Sequence, residues 1–277
     1  MHLHHERRGA GEPLVLVHGL GSTWRSWDPV LPGLAARREV VAVDLPGFGA
    51  TPPLEGQVSI ATLADALVGF LEDQGLRDAD LVGSSVGARL VLELARRGVG
   101  RDVVALDPGG FWNRRQLAVF SASIGASIRL VRRLQPVLPA LVGNPATRSA
   151  LLAQVSPRPW ALPPELVLRE LQGWAAAPSY DALLDALVHG PPQEGAPAGA
   201  TPGRVVLGWG RQDRVVTPSQ SAAATERFPD AQLHLFDSCG HFPMWDQPEE
   251  TVRLVLGSTG DARPHPGTPV PGLGTPH

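Results

Sequence analysis

A chain of 277 residues, 43% of them hydrophobic and 18% charged, can bury a large core and fits one main domain with room for an inserted subdomain. A formal net charge of -3 leaves no electrostatic footprint for nucleic acid or for an anionic membrane surface. All 24 basic residues are Arg, which excludes lysine Schiff-base chemistry, and the single Cys239 can form neither an internal disulfide nor a Cys-rich zinc site.

Residues 1–8, MHLHHERR, hold no apolar stretch of signal-peptide length, and no uninterrupted apolar run long enough to span a membrane follows. A cytoplasmic protein is therefore expected. His2, His4 and His5 fit alternation in a short terminal strand, or the remains of a tag, better than a metal site.

From there, short apolar runs alternate with helical patterns, the sequence form of parallel strands joined by crossover helices. Residues 14–17 form an apolar run ending in His18-Gly19, and residues 40–43 form another ending in Asp44-Leu45-Pro46-Gly47. Both predict buried strands. A short helix fits residues 27–36, and a longer one fits 59–74, with Ser59 as N-cap and Leu63, Leu67, Phe70 and Leu71 at helical spacing. A third strand over 79–82 runs into Gly83-Ser84-Ser85-Val86-Gly87, and a helix over 90–97 stops at Gly98. Residues 103–106 supply the next strand, ending at Asp107-Pro108-Gly109-Gly110.

The alternation breaks at Phe111. Up to about residue 200 the pattern predicts short helices divided by Pro136, Pro139, Pro145, Pro157, Pro159, Pro163 and Pro164, then a Pro/Gly/Ala-rich link over 190–203. Strands resume at 205–209 and 232–236, separated by a helix over 217–228 and closed by one over 247–256. The expected organisation is thus a core of 1–110 and 201–256, an inserted helical subdomain of 111–200, and a disordered Gly/Pro-rich tail of 257–277.

The G-x-S-x-G pentapeptide at 83–87 selects Ser85 as a nucleophile. A nucleophile on a tight strand-to-helix turn needs small neighbours two residues to either side, and Gly83 and Gly87 supply them. Ser84 occupies the variable position and is given a packing role. His18-Gly19-Leu20-Gly21 follows a strand where the loop completing an oxyanion hole belongs, so the backbone N–H groups of Leu20 and Val86 are expected to bind the oxygen of a tetrahedral intermediate. His18 itself is read as structural.

His241, in Gly240-His241-Phe242-Pro243 after the last strand, is the expected base, while His189 and His234 suit surface or packing roles. Asp213, in the loop after the strand ending at Trp209, is preferred as the acid that orients the imidazole, with Asp107 as its rival. The chain order Ser85, Asp213, His241 is one known for such triads. Neither clustered His/Asp ligands nor Cys pairs are apparent, so no metal and no cofactor are expected.

On these residues the chain resembles the α/β-hydrolase superfamily, in its esterase, haloperoxidase-like and meta-cleavage-product-hydrolase-like group, over about residues 3–256. The matching pieces are His18-Gly19, Asp44 to Gly49, Gly83 to Gly87, Gly210 to Asp213 with Pro218, and Gly240-His241. The resemblance implies a mostly parallel sheet with helices on both faces and a helical cap inserted after the sixth of the usual eight strands; the usual first strand is not visible. Relatives that open epoxides or dehalogenate alkanes place Asp at the nucleophile position, whereas Ser85 stands here, and hydroxynitrile lyases of this fold use a lysine that is missing. Carbon-carbon bond hydrolases remain the rival, since Cys239-Gly240-His241 with Trp245-Asp246 is similar to their segment. Their Gly-rich oxyanion loop and the Asn before their nucleophile are replaced by Leu20-Gly21-Ser22 and Ser84. Hydrolysis of a small or medium apolar carboxylic ester ranks first, C–C hydrolysis second, and a non-catalytic ligand-binding protein third.

Specificity is expected in the cap, where Phe111, Trp112, Phe120, Trp160 and Trp174 offer apolar wall; Phe111, Trp112, Trp160 and Trp174 are the substrate-pocket candidates. Arg129, Arg132 and Arg133 fit a solvated helix face better than a carboxylate site. The expected partner is a small-molecule substrate.

Overall fold

The computed structural model of the chain describes residues 2–260. Seven strands form one sheet: β1 (His5–Arg8), β2 (Pro13–Val17), β3 (Glu39–Val43), β4 (Asp80–Ser84), β5 (Val103–Leu106), β6 (Val205–Gly210) and β7 (Gln232–Phe236), in the order β1-β3-β2-β4-β5-β6-β7. Only β1 runs antiparallel, pairing with β3 at the edge of the sheet. β2, β4, β5 and β6 are nearly continuous Val/Leu runs because strands covered on both sides have no solvent face to alternate with.

Before the insertion, the helices are α1 (Leu31–Ala35), α2 (Ile60–Asp73) and α3 (Val86–Arg96). Ser59 caps α2 as its sequence predicts: its Oγ accepts from the Thr62 amide at 3.1 Å, and Thr62 Oγ1 accepts from the Ser59 amide at 2.9 Å. Leu63, Leu67, Phe70 and Leu71 are all buried, each worth about 1.5–3 kcal/mol in removed apolar surface. α2 packs on α3, which lies against β2, β4 and β5; α1 packs on β3 and on the C-terminal helix.

Between β5 and β6 lie α4 (Arg114–Leu134), α5 (Leu138–Gly143), α6 (Pro145–Leu152), α7 (Pro164–Ala176) and α8 (Tyr180–His189), with no strand. α4 packs on both α7 and α8, and α5 on α6 and α7. After β6 come α9 (Ser221–Arg227), α10 (Pro243–Asp246) and α11 (Pro248–Ser258).

The expected tail starts too early. α11 continues through Ser258, and Thr259 Oγ1 accepts from Arg38 Nη1 at 2.8 Å. Arg38 also reaches the fully buried Asp80 at 2.5 Å, and Arg101 Nε meets the same carboxylate at 2.9 Å. A buried carboxylate at the start of β4 thus anchors the end of α11, which the composition of the last residues does not reveal. The rest of the expected tail, 261–277, lies outside the described residues.

Candidate functional site

The loops after β2, β4, β5, β6 and β7 meet at the C-terminal ends of the parallel strands, the usual binding edge of such sheets. Ser85 sits between β4 and α3 with φ 58 and ψ -115, a conformation that L residues rarely adopt and that surrounding structure must enforce. Its amide donates to the Leu106 carbonyl at 2.9 Å. The turn tolerates no side chain at its flanks: a Cβ on Gly83 would lie 2.2 Å from the Gly87 carbonyl oxygen, and one on Gly87 would lie 2.1 Å from that of Val17.

His241 links Ser85 to Asp213. Its Nε2 lies 2.9 Å from Ser85 Oγ and its Nδ1 lies 2.7 Å from Asp213 Oδ2. Asp213 is held in turn, since its Oδ1 accepts from the amides of Val215 and Val216 at 2.7 and 3.0 Å. The three sequence candidates therefore form one hydrogen-bonded chain in which His241 and Asp213 are buried.

The loop bearing His241 is fixed from two sides. Its own amide donates to the Val155 carbonyl at 2.8 Å, and the Gly240 amide donates to Asp246 Oδ2 at 2.8 Å. Asp246 Oδ1 accepts from Ser156 Oγ at 2.6 Å, so this carboxylate bridges the segment after α6 and the histidine loop. Burial raises the Asp246 carboxyl above the usual carboxylate range, opposed by its bonds to Ser156 and Gly240.

Asp107 sits beside this chain but outside it. It has φ 47, is fully buried, and accepts from the Gly210 amide through Oδ1 at 2.9 Å. Burial first, and then the neighbouring Asp213 carboxylate, push its carboxyl well above the usual range. One donor atom each from Asp107, Asp213 and His241 lie within 4.8 Å of one another, a spacing that could suit a metal ion. Both imidazole nitrogens are already engaged by Ser85 and Asp213, however, which leaves none for a metal in this arrangement.

His18 has the structural part expected of it: Nδ1 lies 2.7 Å from the Gly19 carbonyl oxygen and Nε2 accepts from the Leu45 amide at 3.0 Å. Burial lowers its pKa and favours the neutral ring. Ser84 is fully buried in the last position of β4. His234 bonds Glu250 and His189 pairs with Asp185, away from the site.

Val86 is the first residue of α3, so its amide has no carbonyl within the helix to bond. Leu20 lines the same cavity as Ser85 and His241. Core loops also contribute Val215 and Phe242, and the inserted helices and their connections contribute Phe120, Ile124, Val155, Trp174, Tyr180 and Leu187. Apart from Ser85, His241 and the Tyr180 hydroxyl, these side chains are apolar or aromatic, and none is cationic.

Only Trp174 of the four pocket candidates lines this cavity. Trp112 stands one layer back, stacked on Phe120 with ring centroids 5.0 Å apart. Phe111 is buried against Phe228 and the Arg227 guanidinium. Trp160 is 55% exposed, because its short 3-10 turn faces outward while Arg148 binds the turn's carbonyl groups from within. Aromatic content alone cannot say which side of a helix layer a ring faces. Arg132 pairs with Asp181 near the Tyr180 ring, and Arg129 and Arg133 are exposed, as a solvated face predicts. The sequence pattern assigns no role to Tyr180 or Glu170 and reads Ser22 only as part of the loop after β2, although Glu170 and Trp174 stand four residues apart on one helix and so share a face.

A family model described as "Alpha/beta hydrolase family" matches residues 14–254. The chain is 29% identical over 263 residues to 2-hydroxy-6-oxo-2,4-heptadienoate hydrolase of Pseudomonas putida, covering 89% of this chain and 88% of that protein. It is 32% identical over 221 residues to Epoxide hydrolase EphH of Mycobacterium tuberculosis, covering 75% of this chain and 98% of that one. Among solved structures, a thermophilic esterase from Thermogutta terrifontis superposes with a TM-score of 0.72 at 21% identity, over 92% of each chain.

Proposed function

The chain belongs to the alpha/beta hydrolase family, and on that premise we propose that it is a serine hydrolase acting on a small or medium apolar carboxylic ester through an acyl-enzyme. One observation carries this reading: the hydrogen-bonded chain from Asp213 through His241 to Ser85 opens into a cavity whose other side chains are apolar or aromatic, with the Tyr180 hydroxyl their one polar group besides the Trp174 indole N–H and no Arg among them.

In this reading His241 Nε2 takes the Ser85 hydroxyl proton as Oγ attacks the ester carbonyl, and Asp213 holds Nδ1–H and stabilises the imidazolium. The amides of Leu20 and Val86 receive the negative charge that develops on the carbonyl oxygen. His241 returns the proton to the departing alcohol, leaving Ser85 acylated. A water molecule deprotonated by the same imidazole then attacks the acyl carbon, and the proton passes back to Ser85 Oγ as the acyl–oxygen bond breaks and the acid leaves. The helices α4 to α8 act as a cap that walls the acyl site and selects its shape.

C–C bond hydrolysis is the second reading, favoured by relatives such as the Pseudomonas putida heptadienoate hydrolase. A substrate named as an enoate carries a carboxylate, and burying that charge without a partner is costly. The cavity here offers it no Arg. A third reading, a ligand-binding protein without catalysis, is opposed by the unbroken Asp213–His241–Ser85 chain.

The test is a panel of p-nitrophenyl esters of rising chain length run beside a vinylogous diketone acid. The ester reading expects kcat/KM for the best ester to exceed that for the diketone acid. The reverse order would favour C–C hydrolysis, and turnover of neither would favour the binding protein.

A further inference from the structure

A buried carboxyl outside the catalytic chain sits directly behind the oxyanion loop. Glu170, on α7, is 3% exposed, and its Oε2 accepts from Ser22 Oγ at 2.8 Å. Trp174 Nε1 donates to the same hydroxyl at 3.3 Å. A serine hydroxyl has one proton to give, so this geometry fixes the order Trp174 to Ser22 to Glu170.

The network touches the site at two places. Ser22 lies two residues after Leu20, whose amide is assigned to the oxyanion, and the Ser22 amide closes the turn onto the Gly19 carbonyl at 3.3 Å. Trp174 lines the substrate cavity. Between them Gly21, at φ +78, lies so close to the Trp174 and Tyr180 rings that a Cβ there would stand 2.8 Å from each. The loop is pressed against α7 by packing and held to it by the Ser22 bond. Filling the Glu170 position with Leu would avoid the cost of burying a carboxyl, so its presence requires a use for the acceptor it offers.

We propose that Glu170 is a positioning residue: through Ser22 it fixes the loop that presents the Leu20 amide, and through the same hydroxyl it sets Trp174 against the substrate. The inserted helix α7 thereby controls both the oxyanion geometry and one wall of the site. This rests on the reading of Ser85 as nucleophile. A misplacement of about 1 Å in such a site costs on the order of 100-fold in rate, so loss of the tether falls mainly on kcat.

The experiment compares Glu170→Leu, Glu170→Gln and Ser22→Ala with wild type. It uses kcat and KM on one p-nitrophenyl ester, expressed per active site titrated with a fluorophosphonate, and the rate of that labelling. Glu170→Leu and Ser22→Ala should lose about 10- to 100-fold in kcat with KM changed by less than about 3-fold. Glu170→Gln still offers an oxygen to Ser22 and should stay within about 3-fold of wild type. A folded Glu170→Leu with wild-type kcat and labelling rate would overturn the proposal, as would a Glu170→Gln as impaired as Glu170→Leu. If Glu170→Leu does not fold, Ser22→Ala, which removes one hydroxyl, decides alone: wild-type kcat in that variant overturns the proposal. A wild type that fails to label would overturn the nucleophile reading and this one with it, whereas a labelled wild type matched by its variants would overturn only this one.

Discussion

The Gly210 amide donates to Asp107 Oδ1 at 2.9 Å, which commits the rival carboxyl to the end of β6, three residues before Asp213. Asp213 instead turns one oxygen to His241 and the other to two backbone amides. The two acids therefore divide the work: Asp107 shapes the loop and Asp213 meets the imidazole.

Asp213→Asn should keep the fold and lower turnover by about three to four orders of magnitude, because the imidazole would be held in the wrong tautomer. Asp107→Asn keeps an oxygen for Gly210, tolerates φ 47, and should remain within a few-fold of wild type. Kinetics on both variants, with circular dichroism to confirm folding, decides. A folded Asp213→Asn at near-normal turnover beside a dead Asp107→Asn would reverse the assignment.

The turn between β4 and α3 predicts a stability effect that is separable from chemistry. In Gly87→Ala the new Cβ would stand 2.1 Å from the Val17 carbonyl oxygen and 2.5 Å from that of His18, both backbone atoms that cannot swing away. A loss of about 3 kcal/mol or more is expected, at the upper end of overpacking effects. Urea denaturation reads it directly, and an unchanged midpoint would show that the strand and turn can separate at little cost.

Most of the sheet was readable because β2, β4, β5 and β6 are buried on both sides and their apolar runs are unbroken. The edge strand β1 was legible only as one of two readings of the N-terminal histidines, since HERR holds no apolar run; it forms because its backbone pairs with β3. Ser85, Asp213 and His241 were legible because their turns need glycine at fixed offsets and follow strands in a set order. The pocket was poorly legible. Whether Trp160 or Trp174 faces the site depends on how α4 to α8 pack on one another, which aromatic content does not encode. Glu170 was invisible for a related reason, as its partner Ser22 lies 148 residues away in the chain.

Glu170 should leave a mark on the pH dependence of folding. Burial raises its carboxyl from an ordinary 4.5 to about 7, against the lowering effect of Ser22 and Arg169, with Asp28 adding to the rise. The native state therefore holds a proton that the unfolded chain releases, and stability falls as pH rises between about 4.5 and 7, then levels off. The total is about 3 kcal/mol. Glu170→Gln lacks this loss, so the stability difference between variant and wild type should shift toward the variant by that order from pH 5 to pH 8. Parallel urea midpoints across this range would contradict a raised Glu170.

The most direct test of the central claim, that Ser85 is a nucleophile activated by His241 across 2.9 Å, is fluorophosphonate labelling with the modified peptide mapped by mass spectrometry. Wild type should carry one adduct, on Ser85, and Ser85→Ala should carry none and lose ester turnover. An adduct on Ser84, or labelling that persists in Ser85→Ala, would contradict it.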